Sequence, residues 1–360
     1  MAIPESRFSD INDDAASKLH NDSLVIDGLI PTLSYLNDDE YLDHLLEGGI
    51  TAANFTVAFN DDFLGTTKTI QQVWRTVENH PRLRLVRRVD DILQAKEENS
   101  VGVILGFQDS QPIEMNLEFV RAFAQMGVRI IQLTYNSQNY VGSGCWEEND
   151  TGLSYFGKDL IDELNRYGVL IDLSHCGDVT TMKAIEYSDD PVAFTHVASR
   201  ELGHAHGRGK TDEQIRAVAD NDGIIGITCH PPFLKKDPET HHVQEASIDD
   251  VLDHIDHVCG LVGPEHVSLG TDLMDKAYDT GVSPAEDLFD DRYRARREQH
   301  PEIFGSNDPS EVDPPAGFDR HTKFPNITRG LLSRGYSPEE VSGILGQNFY
   351  RVCERAWNNS

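Results

Sequence analysis

The sequence predicts an α/β fold of the (β/α)₈ TIM-barrel class, and three observations carry that prediction. Eight short apolar runs rich in Val, Ile and Leu recur along the chain. Amphipathic segments separate most of them. Polar residues able to do chemistry stand at the ends of the runs. Near-continuous apolarity is the mark of a strand covered on both faces, which belongs to a parallel sheet, and strand–helix alternation points to an α/β fold. The main competitor, a doubly wound open sheet, calls for a Gly-rich phosphate turn after its first strand, and none follows Leu24–Leu29.

In order, the runs are Leu24–Leu29, Ile50–Ala58, Val101–Phe107, Val128–Thr134, Val169–Leu173, Val192–Thr195, Gly223–Thr228 and Val267–Leu269. Helices are expected at Leu117–Met126, Lys158–Tyr167, Val179–Tyr187, Asp212–Asp220 and Asp249–Val262. A closing helix is expected over Ser337–Trp357, with Pro338 at its first position and Glu339 and Glu340 in its first turn. Residues 1–360 read as one barrel domain, with residues 1–22 as an N-terminal extension. The polar stretch 275–317, containing EDLFDDRYRARREQH and NDPSEVDPPAG, reads as an insertion over the strand ends.

The chain carries 61 Asp plus Glu against 31 Lys plus Arg, a formal charge of −30, which argues against nucleic acid or an anionic membrane as partner. Only ten of the 31 cations are Lys, a balance that reads as adaptation to high salt. The first twenty residues lack the apolar core of a secretory signal, and no run approaches the roughly 18 apolar residues of a membrane span. Five cysteines without a paired pattern suggest reduced thiols and a cytoplasmic location.

In such a barrel, chemistry gathers where strands give way to the following loops. The fifth run leads to His175, the sixth to His196, the seventh to Cys229 and His230, and the eighth to Asp272; the third leads to Gln108 and Asp109, the fourth to Tyr135 and Asn136. Imidazoles on neighbouring strands can converge on one divalent cation, and a nearby carboxylate can move the proton of an attacking water. His230 reads equally as a loop anchor in His-Pro-Pro. His204 and His206 read as exposed loop residues, and His254 with His257 as a solvated or packed helical pair.

At these residues the sequence resembles the renal, or membrane, dipeptidase family of metallopeptidases (peptidase family M19), within the amidohydrolase superfamily. The similarity runs from about Val25 to Trp357. It is most specific in GLSYFGKDLIDELNRYGVLIDLSHCGDVTTMKAI, PVAFTHVASREL, VSLGTD and FPNITRGLLSRGYSPEEVSGILGQNFYRV. The resemblance implies two zinc ions in the family. His175 and His196 match the histidines of one, Asp272 the aspartate that handles the proton of water, and Arg208 the arginine that holds a substrate carboxylate. Four residues, at three places, depart from the pattern. Leu29 and Pro31 stand where the family has a His-x-Asp for the other zinc, Gln108 stands for the bridging glutamate, and Tyr135 for a substrate-facing histidine.

The expectation is therefore one zinc at most, at His175 and His196, with Gln108, Cys145, Glu147 or water completing its shell; Cys145 reads equally as a packed loop thiol. Three functions are weighed. The first is a hydrolase of a small dipeptide or amide. The second is an enzyme for another C–N bond, in a modified amino acid or betaine. The third is a metal-free pseudoenzyme binding a ligand in the old cleft. The partner in each case is a small molecule, and family members are often dimers.

Overall fold

Nine parallel strands run through the residues described by the computed structural model, which are 12–275, 295–296, 298–307 and 312–357. They are β1 (Ile26–Ile30), β2 (Ala52–Ala58), β3 (Leu83–Val86), β4 (Val101–Phe107), β5 (Val128–Gln132), β6 (Leu170–Asp172), β7 (Val192–Val197), β8 (Ile224–Ile227) and β9 (Val267–Leu269). Their order is β2-β1-β9-β8-β7-β6-β5-β4-β3, and a further pairing of β2 with β4 closes eight of them into a barrel. The eight barrel strands coincide with the eight apolar runs.

The ninth strand, β3, is the one that periodicity misses. Leu83–Val86 pairs with the first half of β4, from Val101 to Ile104, while β5 takes the second half from Leu105. It is short, and Arg84 interrupts its apolarity by reaching out to Glu98 at 3.0 Å.

Alternate residues of the strands point to two different cores, as a period of two requires. Ile26, Ala52, Ile104, Ile130, Leu170, Ala193 and Ile224 face inward, where Phe349, Val352, Cys353 and Trp357 of the last helix plug the barrel. Val103, Leu105, Ile131, Ile171, Phe194 and Ile225 face outward beneath the ring of helices. At about 25 cal/mol per Å² of apolar surface removed from water, these two cores dominate the stability of the fold.

The helices expected between strands are found at Glu118–Gln125, Tyr155–Arg166, Asp178–Tyr187, Asp212–Asp220 and Ile248–Val262. The closing helix is a correction. Pro338 does begin a helix, capped by Ser337 and Glu340, but the segment divides into Pro338–Ser342, a wider turn over Gly343–Gln347, and Asn348–Trp357. The break falls at Gly346, which lies against β1. A Cβ there would stand 2.7 Å from the Leu24 carbonyl oxygen and 3.0 Å from the Ile26 nitrogen. Close packing of backbone on backbone therefore overrides helical continuity.

Of the N-terminal extension, residues 1–11 lie outside the described residues. Asp13–Asp22 is a helix capped by Asn12 and docked through His20 Nδ1 to Thr328 Oγ1 at 2.8 Å. Most of EDLFDDRYRARREQH likewise lies outside them. The described end of that stretch places Ile303 and Phe304 against Cys145, Trp146, Ala198, Ala205 and Phe233, residues that follow β5, β7 and β8. No helix among the described residues is long and apolar enough to cross a membrane.

Candidate active site at the strand ends

The turn after β6 and the last residues of β7 bring His175 and His196 together: their Nε2 atoms lie 3.1 Å apart, and both side chains are buried. The other ring nitrogen of each is committed. His175 Nδ1 donates to Asn136 Oδ1 at 2.7 Å, and the Cys145 thiol donates to the same oxygen at 3.1 Å. Thr195 Oγ1 donates to Asp172 Oδ2 at 2.7 Å, so it accepts from His196 Nδ1 at 2.8 Å. With a proton on each Nδ1, both Nε2 lone pairs face one another.

Electrostatics hold both rings neutral. Burial, with Arg208 next in weight, depresses the basicity of His175 and of His196 well below the usual range. Lys210 and His230 push in the same direction on each. Tyr135 stacks on His175, ring centroids 4.1 Å apart, and Phe59 meets Tyr135 edge-on at 4.0 Å. Beside them opens a cavity of about 110 Å³ lined by Phe59, Asp109, Tyr135, Asn136 and Trp146. Asp109 ties the loops after β4 and β5 together, accepting from Tyr135 N at 2.8 Å and Asn139 Nδ2 at 3.0 Å. Burial pushes its carboxyl up to about 6.

Arg208 is wholly buried. Its Nη1 donates to the Ser174 carbonyl at 3.1 Å and its Nη2 to the His196 carbonyl at 2.8 Å, while Phe233 lies across the guanidinium at 4.8 Å. Among the described residues its Nε has no hydrogen-bond partner. Two residues on, Lys210 is equally buried, donates to the Cys176 carbonyl at 2.9 Å, and is pushed down to about 8 by burial.

Asp272 follows β9 with a left-handed backbone, φ 59°, unusual for a residue with a Cβ. Its N–H donates to the Leu29 carbonyl at 3.1 Å. Burial pushes its carboxyl up to about 7, Arg208 pulls it back, and Asp27 adds to the rise. That range suits a group that must both take and give a proton near neutrality.

The other expected residues are placed as follows. Gln108 is buried and donates through Nε2 to Thr56 Oγ1 at 2.9 Å. Cys145 sits behind His175 rather than beside His196, since its thiol shares Asn136 with the imidazole; burial pushes it up to about 11, away from the thiolate a metal prefers. Glu147 is spent on the Gln138 N–H at 2.7 Å. His230 caps Pro231–Leu234 and rests on Phe233, near enough to bear on both site histidines. Leu29 is buried and offers only its carbonyl to the site. His254 packs, bonded to Ser199 N and the Leu234 carbonyl, whereas His204 and His206 are exposed.

The donor set fits one cation. Two nitrogens 3.1 Å apart lie within the roughly 4 Å that two zinc–nitrogen bonds of about 2 Å can span. Opposed lone pairs are otherwise repulsive, and each histidine has the outer hydrogen bond on Nδ1 that fixes a metal-binding tautomer. Among the described residues, no group of three His, Cys, Asp or Glu is placed to hold a metal.

The sequence model of the membrane dipeptidase family (peptidase family M19) matches residues 14–290. The chain belongs to that family. That family is one of hydrolytic enzymes. An amidohydrolase from Pseudomonas aeruginosa is 34% identical, with a TM-score of 0.82 over 95% of this chain and 99% of that one. A metallo peptidase from Rhodobacter sphaeroides, liganded with a phosphinate mimic of the dipeptide L-Ala-D-Ala, is 18% identical, with a TM-score of 0.72 over 93% of this chain and all of that one. Dipeptidase tcpJ of Claviceps purpurea (strain 20.1) is 29% identical over 273 residues, 75% of this chain and 55% of that protein. The chain thus spans about half the length of the curated relatives it matches.

Residue type alone did not single out Asn136, Asp172 or Lys210. The first two orient the histidines and the third adds a buried positive charge. Only their position next to His175 or His196 gives them a part. Asp172 and Asn136 did carry one signal, since each lies at the end of an apolar run, where this fold puts its chemistry.

Proposed function

We propose that this member of the family is a metal-dependent hydrolase of a small dipeptide or amide, working with a single zinc held by His175 and His196. The observation that carries the reading is the facing pair of Nε2 lone pairs, each locked by a hydrogen bond on Nδ1. A second dication finds neither a carboxylate bridge at Gln108 nor ligands at Leu29 and Pro31, and it would add to the charge of buried Arg208 and Lys210.

Zinc, when bound, supplies Lewis acidity and acidifies water. The chain's own residues supply the rest. Asp272 accepts the proton of the attacking water and returns it to the departing amine. Arg208 offers its Nε to a substrate carboxylate in a charge-assisted bond. Gln108 and Tyr135 border the reacting group, and Cys145 acts only behind His175. The five cysteines are free, in keeping with a reducing, cytoplasmic setting.

One observation favours a wider substrate range than dipeptides. The relative of 34% identity that matches nearly the full length of both chains is named an amidohydrolase, and the family's substrate-facing histidine is here Tyr135. A C–N bond in a modified amino acid or betaine fits the same machinery.

The test is metal content by elemental analysis, on tag-free protein expressed with zinc, followed by a screen of dipeptides, other amides and modified amino acids. About one zinc per chain, lost in His175→Ala, is expected. Near-zero metal in both proteins sinks the metallohydrolase in favour of a metal-free binding protein.

A further inference from the structure

We infer that His321, far from the catalytic residues in sequence, is a positioning residue that holds the Thr271–Asp275 segment, and with it Asp272, in its reactive place. The inference rests on the proposed role of Asp272. The geometry is a clamp. His321 Nδ1 bonds Asp275 Oδ1 at 2.8 Å, its backbone N–H donates to Asp275 Oδ2 at 2.9 Å, and its Nε2 bonds Asp27 Oδ2 at 3.1 Å. His321 and Asp27 are fully buried and Asp275 nearly so.

From Asp27 the clamp reaches the other end of the segment. Asp27 Oδ1 accepts from Thr271 N at 2.8 Å and from Leu29 N at 3.1 Å, and Asp27 Oδ2 accepts from Thr271 Oγ1 at 2.5 Å. Leu29 in turn accepts the Asp272 N–H. Asp272 is therefore bracketed, with residue 271 tied to β1 on one side and residue 275 tied to His321 on the other. Its left-handed backbone needs such a bracket, since a non-glycine residue keeps that conformation only where its surroundings over-determine it.

The charges explain why a histidine is used. Burial alone would push His321 down, but Asp275 and Asp27 push it up to about 10, so it is an imidazolium between two carboxylates. Tyr41, edge-on to the ring at 6.1 Å, and His44, 3.8 Å from Asp275, complete its surroundings. A neutral side chain would leave two buried carboxylates facing one another, with nothing to hold Asp27 toward Thr271.

The experiment compares the full chain with His321→Gln and with Thr271→Val, which keeps the side-chain volume but removes the hydroxyl bond to Asp27 Oδ2. Hydrogen exchange of the peptide covering residues 267–275 is read first, since it needs no substrate. In both variants the Thr271 and Asp272 amides are expected to exchange at least tenfold faster while strands β5 to β7 stay protected. Turnover of L-Ala-L-Ala is read second. His321→Gln is expected to lower kcat at least tenfold with KM changed less than threefold, and to add no further loss in an Asp272→Asn background. Unaltered exchange in a folded variant, or losses in kcat that multiply, would overturn the inference. If His321→Gln does not fold, Thr271→Val decides by the same exchange criterion. If the wild-type chain leaves L-Ala-L-Ala intact, or Asp272→Asn keeps full turnover, the catalytic reading has failed separately and exchange alone judges the clamp.

Discussion

His175 and His196 meet through Nε2 at 3.1 Å, and neither has its Nδ1 free. This relationship turns two buried imidazoles into a pair of converging donors. Removing either ring is expected to cut bound zinc from about one per chain to near zero, as read by elemental analysis. His196→Ala is expected to do so as completely as His175→Ala, because a single imidazole does not retain the ion.

Asn136 has a smaller, graded effect. Its Oδ1 orients His175 and also receives the Cys145 thiol. Asn136→Ala is expected to weaken zinc affinity about 10- to 100-fold, the usual cost of losing an outer-shell partner. Competition with a chelator measures it. Cys145→Ser, which keeps a donor toward Asn136, is expected to stay within a few-fold of wild type; complete metal loss there would make Cys145 a ligand after all.

Asp272 sets a limb of the pH profile. Its carboxyl is pushed up to about 7 and must be ionised to accept a proton. Below that pH it is protonated, so kcat/KM is expected to fall as pH falls through about 7. Asp272→Asn is expected to lose about 10²- to 10⁴-fold in kcat, the ordinary worth of a general base. A profile flat between pH 5 and 8 in the wild type would remove Asp272 from that role.

His321 links pH to stability with the opposite sign. Its folded value, about 10, lies above the roughly 6.5 of an unfolded histidine, so its contribution is fully present below about 6.5 and is lost as pH rises through 10. Denaturant unfolding is expected to show stability falling over that window. In His321→Gln the dependence flattens, and stability drops by about 3–5 kcal/mol at pH 6, the usual cost of breaking a buried ion pair. An unchanged slope in the variant would mean that other groups carry the dependence.

Gly346 tests the packing of the last helix on the barrel. A Cβ there meets the Leu24 carbonyl oxygen at 2.7 Å. Gly346→Ala is expected to cost about 1–3 kcal/mol in chemical denaturation, the range for overpacking a tight contact.

The sequence by itself determined the barrel and most of the strand-end residues. Continuous burial of a strand such as Val101–Phe107 requires continuous apolarity, and that pattern is visible in a one-dimensional string. The run ends then locate His175, His196 and Asp272, because the loops that follow the strands open at one end of the barrel. Leu83–Val86 stayed hidden because a half-covered strand of four residues with an arginine has no such signature.

Tertiary structure alone decided the rest. That His175 and His196 share one point, that Asn136 and Asp172 lock their tautomers through direct or relayed bonds, and that Cys145 stands behind rather than beside them all follow from side-chain direction, which residue spacing does not encode. The clamp from His321 to Asp27 joins positions 294 residues apart. Its parts, an aspartate in a strand, another after the last strand and a histidine in a polar turn, are unremarkable singly. Burial makes them a unit, because two carboxylates excluded from water need a counter-charge within hydrogen-bond reach, and only the folded chain shows that His321 supplies it.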